Sequence, residues 1–258
     1  RRRPQDAGVA AGTATAGPLL EVRDLHMTFG GIRAVQGISF QVAEGETLGL
    51  IGPNGAGKTT VFNMIMAELK PTSGEIWFKG KNITRVPTYE RVKRGIARTY
   101  QVPQPFAEMS VGANIRVGMA PDNIWKLIGE EADHAAEAEI GNSVGFSDEQ
   151  IGMLPSELAM GDLRRLEMAR NVAVAPRLLL LDEVFAGLTL REIAQISELL
   201  VEKKRKDGLT YIIVSHDLRA LAPLVDRVIV MSFGEVIAEG TFDEVVRDEA
   251  VRDAYLGQ

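Results

Sequence analysis

Residues 52–60 read Gly52-Pro53-Asn54-Gly55-Ala56-Gly57-Lys58-Thr59-Thr60 and fit the pattern G-x-x-x-x-G-K-[ST] at every specified position. The preceding stretch, Thr47-Leu48-Gly49-Leu50-Ile51, is short and mostly apolar, as in a buried strand. The residues that follow carry apolar side chains at helical spacing: Val61, Phe62, Ile65, Met66 and Leu69. A strand, a glycine-rich loop and a helix in this order predict a loop that binds phosphate groups.

The predicted loop has the chemistry that a nucleoside triphosphate requires. Its glycines let backbone N–H groups turn inward toward a phosphate chain, and the N-terminus of the next helix adds about half a positive charge. Lys58 would bring a point charge to the β- and γ-phosphates, and Thr59 a hydroxyl for Mg²⁺. The predicted nucleotide-binding residues are Asn54, Gly55, Ala56, Gly57, Lys58, Thr59 and Thr60. A chance glycine-rich turn before a helix is the alternative, and the agreement of the whole pattern and both flanks disfavours it.

A second stretch, Leu178-Leu179-Leu180-Leu181-Asp182-Glu183, predicts the other half of the site. The run of leucines predicts a strand that is buried on both faces, as in a parallel sheet. Asp182 at the end of this strand would help to hold Mg²⁺, and Glu183 would accept a proton from the attacking water. Alone this motif is weak, because a buried strand often ends in an acid at the surface. The glycine-rich loop strengthens the interpretation.

His216 is the third candidate, since it follows an apolar strand predicted at residues 211–214. An imidazole at that position could hydrogen-bond a γ-phosphate or orient the water. The alternative is a capping or surface histidine.

The order of the predicted elements favours an α/β fold with a P-loop NTPase core. Strands and helices alternate, which predicts a mostly parallel sheet, and the first strands, near residues 19–25 and 38–42, predict an N-terminal antiparallel β region. From about 103 to 160 the sequence is helical in character, and we expect a helical subdomain inserted into the α/β core. Residues 1–18 lack periodicity and are expected to form a flexible tail, which leaves one domain at 19–258.

Composition excludes several classes of function. The chain has 258 residues, a formal net charge of −6 and a pI near 5.3, so it does not have the basic character of a general nucleic-acid binder. It contains no cysteine, so disulfides and cysteine metal sites are excluded. No apolar run approaches the ~18 residues of a membrane span, so action at a membrane would require a partner.

Together these elements resemble the ATP-binding subunit of an ABC transporter over about residues 19–257. The resemblance implies ATP and Mg²⁺ as cofactors. It identifies Gln101 with the glutamine that contacts Mg²⁺ and the water, and residues 158–162 with the signature that faces the ATP of a second subunit. Within the signature, Ala159 and Gly161 are the expected contacts. Phe29 lies where the family has an aromatic that stacks on adenine, with an ordinary core aromatic as the alternative.

The finer resemblance is to the LivG-like group of branched-chain amino acid importers. It rests on residues 29–35, on Phe62-Asn63 after the loop, on Gly95-Ile96-Ala97-Arg98-Thr99-Tyr100-Gln101 and on the ending Ala254-Tyr255-Leu256-Gly257. The lipopolysaccharide-export ATPase subunit shares much of this, so an exporter subunit remains an alternative. A soluble ABC ATPase is a second alternative, although such chains usually carry two cassettes or a long coiled-coil insertion.

The resemblance also implies partners and a location. A second ATP-binding subunit is expected, usually a distinct sibling, with a homodimer as the alternative. Two transmembrane permease subunits and, indirectly, a periplasmic solute-binding protein complete the assembly, and no nucleic acid is involved. The chain would lie on the cytoplasmic face of the bacterial inner membrane. The surface around residues 101–111 would receive the permease, and Phe106 and Met109 suit that contact, although a local core would also explain them.

Four positions depart from the family pattern. Ala159 replaces the usual Ser, whose hydroxyl would donate to the γ-phosphate bound on the opposing subunit. A hydrogen bond to a charged group contributes about 1.5–3 kcal/mol, so we expect a weaker ATP-bridged dimer on that side. Val184-Phe185 replaces Pro-Ala, and Thr189 replaces an Asp or Asn.

Overall fold

The structure is a computed structural model that describes residues 17–119 and 134–256. The tail predicted at 1–18 therefore lies outside the described residues except for Gly17 and Pro18. The same holds for residues 120–133 of the predicted helical subdomain.

The strands are named in chain order. They are β1 (Leu20–Phe29), β2 (Ile32–Val42), β3 (Thr47–Ile51), β4 (Ser73–Phe78), β5 (Lys81–Asn82), β6 (Ile96–Arg98), β7 (Leu178–Asp182), β8 (Thr210–Val214), β9 (Arg227–Ser232) and β10 (Glu235–Gly240).

The helices are named in the same way. They are α1 (Lys58–Ile65), α2 (Thr88–Lys93), α3 (Val111–Met119), α4 (His134–Ser143), α5 (Asp148–Gly152), α6 (Met160–Ala173), α7 (Leu190–Asp207), α8 (Leu218–Leu221), α9 (Phe242–Arg247) and α10 (Glu249–Leu256).

The strands of the described residues form two sheets. The smaller has the order β2-β1-β4-β5 and is antiparallel throughout. The larger has the order β10-β9-β3-β8-β7-β6, and only its β10–β9 pair is antiparallel. This arrangement confirms the predicted α/β class with a mostly parallel sheet and an N-terminal antiparallel β region.

The sheet order determines where the site can form. Strand β7 lies between β6 and β8, and β3 lies on the other side of β8. In a parallel sheet the carboxyl ends of these strands share one edge, and ligands gather there. Strands β3, β7 and β8 are buried along their whole length, as their apolar sequences predict.

Helices α3, α4, α5 and α6 pack on one another and include the predicted helical segment. Helix α6 begins at Met160 and continues to Ala173, beyond the expected boundary near 160. The boundaries of a separate subdomain therefore remain a proposal. No helix in the described residues combines the length and the apolar character that a membrane span needs.

Two elements end earlier than the sequence pattern predicts. Helix α1 ends at Ile65 rather than near Leu69, because Ala67 adopts a left-handed conformation with φ of +61°. Strand β6 ends at Arg98 rather than at Gln101. The Thr99 N–H still donates to the Leu180 carbonyl of β7, but the peptide groups of Tyr100 and Gln101 bind side chains of α6 instead.

Candidate nucleotide-binding site

The loop between β3 and α1 has a backbone that needs glycine at its two ends. Gly52 has φ of +146° and Gly57 has φ of +101°, which L side chains rarely adopt. A Cβ at Gly52 would lie 2.1 Å from the carbonyl oxygen of Met231, and one at Gly57 would lie 2.5 Å from that of Ala34. The predicted glycine pattern therefore reflects both close packing and backbone conformation.

Lys58 occupies the inside of this loop. Its Nζ donates to the carbonyl oxygens of Gly52 at 2.6 Å and Pro53 at 2.9 Å, and the side chain is buried. Burial lowers the pKa of Lys58, while Glu183 and Asp182 act in the opposite direction. The ammonium group thus binds its own loop and lies within electrostatic reach of both predicted acids.

The remaining predicted loop residues differ in exposure. Asn54, Gly55 and Thr59 are exposed, Thr60 is half-buried and Ala56 is buried. Helix α1 begins at Lys58, and its N-cap residue, Gly57, makes no side-chain capping bond. No side chain of the N-cap residue accepts hydrogen bonds from the first N–H groups of α1. These groups can therefore donate to a bound anion such as a phosphate.

Asp182 lies at the end of β7 and is paired with an arginine that the sequence analysis did not assign. Its Oδ2 accepts a hydrogen bond of 2.6 Å from Nη2 of Arg98, and both side chains are almost fully buried. Arg98 ends β6, the neighbouring strand. The signal in the sequence that could have identified Arg98 is its position as a charged residue at the end of a short apolar strand.

Glu183 and His216 are brought together as a pair. Glu183 Oε2 accepts from the backbone N–H of His216 at 3.2 Å, and Oε1 lies 3.2 Å from the imidazole Nε2. Glu183 has φ of +50°, an unfavourable backbone conformation that its N–H bond of 2.9 Å to the Val214 carbonyl helps to hold. Its carboxylate is mostly buried, whereas the imidazole is half exposed.

Gln101 lies on an exposed segment whose backbone is held by α6. Arg164 donates to the carbonyl oxygens of Tyr100 at 2.6 Å and of Gln101. Glu167 accepts from the Tyr100 N–H at 2.5 Å. Burial raises the pKa of Glu167, although the Tyr100 N–H and the Arg164 guanidinium, which both donate to its carboxylate, favour the charged form. The two buried α6 residues were not foreseen, because nothing local in the sequence links them to Gln101.

The predicted signature residues lie at the start of α6. Ala159 is its N-cap and makes no side-chain cap bond. The N–H of Gly161 donates instead to Oε1 of Glu192 on α7 at 3.1 Å, and a Cβ at Gly161 would lie 2.3 Å from that oxygen. Glu192 also accepts from the backbone and hydroxyl of Thr189. A carboxylate from α7 thus supplies the cap that Ala159 lacks.

Phe29 and Tyr255 are two aromatic residues outside the loop and the carboxyl ends of the parallel strands. Phe29 ends β1 with 44% of its surface exposed, which fits a stacking residue better than a core aromatic. Tyr255, on α10, lies near the backbone of Gly52, and burial raises the pKa of its hydroxyl. The C-terminal helix therefore lies beside the first glycine of the loop.

These residues fit a triphosphate with Mg²⁺. Thr59, Gln101 and Asp182 offer hydroxyl, amide and carboxylate oxygens, the ligand types that Mg²⁺ prefers. Within residues 17–119 and 134–256 no cluster of three or more His, Cys, Asp or Glu side chains is arranged to hold a metal. Mg²⁺ in phosphate sites does not need such a cluster, because the phosphates supply further oxygens.

Two family models match the chain. The ABC transporter model matches residues 35–186, and a branched-chain amino acid ATP-binding cassette transporter model matches residues 235–258.

Curated relatives match over nearly their whole length. The branched-chain amino acid transport ATP-binding protein LivG of Salmonella typhimurium is 36% identical over 93% of this chain and 98% of its own. The corresponding protein BraF of Pseudomonas aeruginosa is 34% identical with the same coverage. The lipopolysaccharide export system ATP-binding protein LptB of Acidithiobacillus ferridurans is 33% identical over 93% of this chain and 97% of its own.

A solved structure shares the fold. The ADP conformation of MJ1267, an ATP-binding cassette of an ABC transporter, superposes with a TM-score of 0.84 at 30% identity, covering 94% of this chain and all of that one. The site geometry, the family model and the relatives agree. The chain therefore belongs to the ABC transporter family, as an ATP-binding and ATP-hydrolysing subunit similar to LivG and BraF.

Proposed function

We propose that this ATPase subunit drives the import of branched-chain or related amino acids through partner membrane subunits. The supporting observation is the full-length similarity to LivG and BraF, which are branched-chain amino acid transport ATP-binding proteins. The match of residues 235–258 to a family model of that name adds support from the C-terminal segment.

In the proposed reaction Glu183 accepts the proton of the attacking water. Its Oε2 is held by the backbone N–H of His216, whereas Oε1 lies 3.2 Å from the imidazole Nε2 and has no hydrogen-bond partner within the described residues. Oε1 is therefore the oxygen that can accept the proton. Lys58 would leave the carbonyls of Gly52 and Pro53 and bind the phosphates, where its charge stabilises the transition state. Asn54, Gly55, Ala56, Gly57 and Thr60 would line the phosphates, and Phe29 the adenine.

We assign the Mg²⁺ ligands to Thr59, Gln101 and Asp182. The ion would neutralise phosphate charge as the γ-phosphoryl group leaves. Gln101 is exposed and follows a segment that α6 holds rigidly, so its side chain can approach the site while its backbone stays fixed.

The signature residues would serve a second subunit. Ala159 and Gly161 lie at the N-terminus of α6. The Gly161 N–H donates to Glu192 of α7, and not to a residue of the loop at 52–60. Two ATP-binding subunits face to face would place each signature against the other's ATP, and a distinct sibling is the expected partner. The assembly would also contain two permease subunits on the cytoplasmic face of a bacterial inner membrane, with a periplasmic solute-binding protein outside.

The surface at 101–111 is proposed to dock a permease subunit. Phe106 and Met109 are 44% and 36% exposed, so a local core does not account for them. The Arg170 guanidinium lies 4.6 Å from the Phe106 ring centroid and keeps the ring in place. An apolar segment with a cationic edge is a suitable contact for a helix of a membrane protein.

A lipopolysaccharide-export role is the second candidate, because LptB is 33% identical over a similar length. Reconstitution distinguishes the two. The subunit is co-expressed with its permease subunits and sibling, placed in proteoliposomes and given solute-binding protein loaded with leucine. We expect leucine uptake that depends on ATP and a rise in ATPase rate on adding the loaded binding protein.

The control for this experiment is Glu183→Gln in the same assembly. It should assemble and bind ATP without uptake, because the amide can still accept from His216 but cannot take a proton. If wild-type vesicles hydrolyse ATP without responding to the loaded binding protein, the import proposal is wrong and the exporter role becomes the better one.

A further inference from the structure

The Arg98 side chain is fixed on three sides. Besides its bond to Asp182, its Nη1 donates to Oδ1 of Asn63 at 2.6 Å and to Oε2 of Glu68 at 3.0 Å. Its guanidinium carbon lies 5.2 Å from the Tyr100 ring centroid, and the Tyr100 hydroxyl donates to Glu68 at 2.8 Å.

These contacts connect the functional elements of the site. Asn63 is on α1, the helix that begins with Lys58 and Thr59, and Tyr100 precedes Gln101. Arg98 itself ends the strand next to Asp182. One guanidinium therefore bridges all three segments that carry the proposed Mg²⁺ ligands.

The geometry divides the two oxygens of the Asp182 carboxylate. Oδ2 is occupied by Arg98, whereas within the described residues Oδ1 has no hydrogen-bonding partner. A carboxylate with no partner at either oxygen could rotate. Here the buried guanidinium of Arg98 limits that rotation by binding Oδ2. The two arms of the guanidinium bind different partners: Nη2 binds Asp182, and Nη1 binds Asn63 and Glu68. The donor that holds Oδ2 is thereby fixed relative to α1, which a single ammonium group on a flexible stem would do less well.

We propose that Arg98 is a positioning residue for Mg²⁺: it binds Oδ2 of Asp182 and keeps Oδ1 directed to the metal side. The inference rests on the proposed assignment of Asp182 to Mg²⁺. Groups that orient metal ligands in this way typically change metal affinity or activity by about 10–100-fold when they are mutated.

The test measures nucleotide affinity rather than turnover. Binding of the non-hydrolysable analogue AMP-PNP to the full chain is titrated calorimetrically, once in EDTA and once with Mg²⁺. We expect Arg98→Gln to leave the affinity in EDTA unchanged and to reduce the gain from Mg²⁺ by about 10-fold or more. A general loss of structure would lower both affinities.

The sign of the effect separates orientation from charge. Arg98 is a cation near the proposed Mg²⁺ position, so loss of charge alone would tighten Mg²⁺ binding. Tighter or unchanged Mg²⁺ binding in Arg98→Gln would overturn the proposal. Arg98→Lys keeps the charge opposite the buried Asp182 and is the variant to use if Arg98→Gln fails to fold. It too should lose part of the Mg²⁺ gain, and full retention would overturn the proposal.

Three further variants complete the design: Arg94→Gln, Asp182→Asn and the double variant. Arg94→Gln removes a nearby arginine whose partner, Glu90, is at the surface, and it should behave as wild type. Arg98→Gln combined with Asp182→Asn should be no worse than Asp182→Asn alone, because Arg98 acts through that carboxylate. If Asp182→Asn keeps the Mg²⁺ gain, the assignment of Asp182 to the metal fails first, which distinguishes that failure from an error about Arg98.

Discussion

Lys58 is the residue on which nucleotide binding depends most directly. In the free chain its ammonium group is bound to the carbonyls of Gly52 and Pro53 and is buried. The loop therefore holds its cation inside the space where phosphates would bind. Phosphate oxygens are stronger acceptors than these carbonyls, so binding can replace the internal bonds without exposing the charge.

We predict that Lys58→Ala abolishes ATPase activity. Removing one charge that stabilises the transition state typically lowers kcat by about 100–1000-fold. The measurement is phosphate release by the purified subunit at saturating ATP and Mg²⁺, with the exposed Lys70→Ala as the matched control. Near-normal turnover in Lys58→Ala would refute the loop assignment.

Glu183 combines a strained backbone with a nearly buried carboxylate. Its backbone has φ of +50°, and the hydrogen bond from the His216 N–H to Oε2 holds the side chain at the end of β7. Strain of this kind persists only where the surrounding structure enforces it, and it is common at active sites.

We predict that Glu183→Gln keeps ATP binding, stops hydrolysis and traps a closed dimer. Loss of a general base typically costs about 100–10,000-fold in rate. Gel filtration of the variant with ATP, Mg²⁺ and its partner subunit should show a stable complex. A variant that elutes only as open monomers would place the base role in doubt.

At the scale of elements, α1 depends on a buried arginine of α2. Arg91 is fully buried and donates only to carbonyl oxygens in the described structure. These belong to Met64, Ile65, Ile83, Thr84 and Val86. Burial lowers the pKa of Arg91 to about 10. The guanidinium thus closes the C-terminal end of the helix whose N-terminus faces the phosphates.

We predict that Arg91→Met destabilises the chain by about 3 kcal/mol, because the carbonyls of Ile65, Thr84 and Val86 lose the donor that Arg91 supplies. Thermal unfolding without nucleotide should show a melting temperature lower by several degrees. Arg94→Met is the matched control, since its ion pair with Glu90 is at the surface and should contribute less than ~1 kcal/mol. Equal melting temperatures for the two variants would contradict this role.

Helix α6 links two regions of the site. Its N-terminus carries the signature, and Arg164 and Glu167, one turn later, bind the backbone before and at Gln101. Val184 and Phe185, which depart from the family pattern, are buried in the core that contains α6. Their replacement of Pro-Ala is thus accommodated by packing.

At the scale of the whole molecule, one chain presents its ATP loop and its signature on different elements. Glu192 caps the signature helix in place of the missing serine hydroxyl. The absence of a hydroxyl at Ala159 would therefore weaken the association with a partner subunit, and it would not change the affinity of this chain for its own ATP.

We predict that Ala159→Ser strengthens ATP-driven association by about 1.5–3 kcal/mol, the contribution of a hydrogen bond to a charged group. The measurement is the dissociation constant of the two-subunit complex in ATP and Mg²⁺. A serine N-cap also stabilises a helix by about 1 kcal/mol, so thermal unfolding of the isolated chain is measured as a control. Association that does not change would count against the hydroxyl argument.

The sequence alone determined the parts of the site that are local. The loop at 52–60, the acids at 182–183 and the surrounding strands and helix were predictable, because backbone conformation and hydrophobic periodicity leave a signal within a few residues. The parallel sheet followed from the fully apolar strands. The placement of Glu183 beside His216, in contrast, depends on β7 and β8 being neighbours in the sheet.

Only the tertiary structure decided which distant side chains complete the site. Arg98 reaches Asp182 across 84 residues, Arg164 reaches Tyr100 across 64, and Glu192 reaches Gly161 across 31. Each contact depends on strand order or on helix packing. The two partners come within hydrogen-bonding distance only when the chain has folded. Periodicity contains no record of such pairs, because they arise from strand order and helix packing rather than from the spacing of residues along the chain.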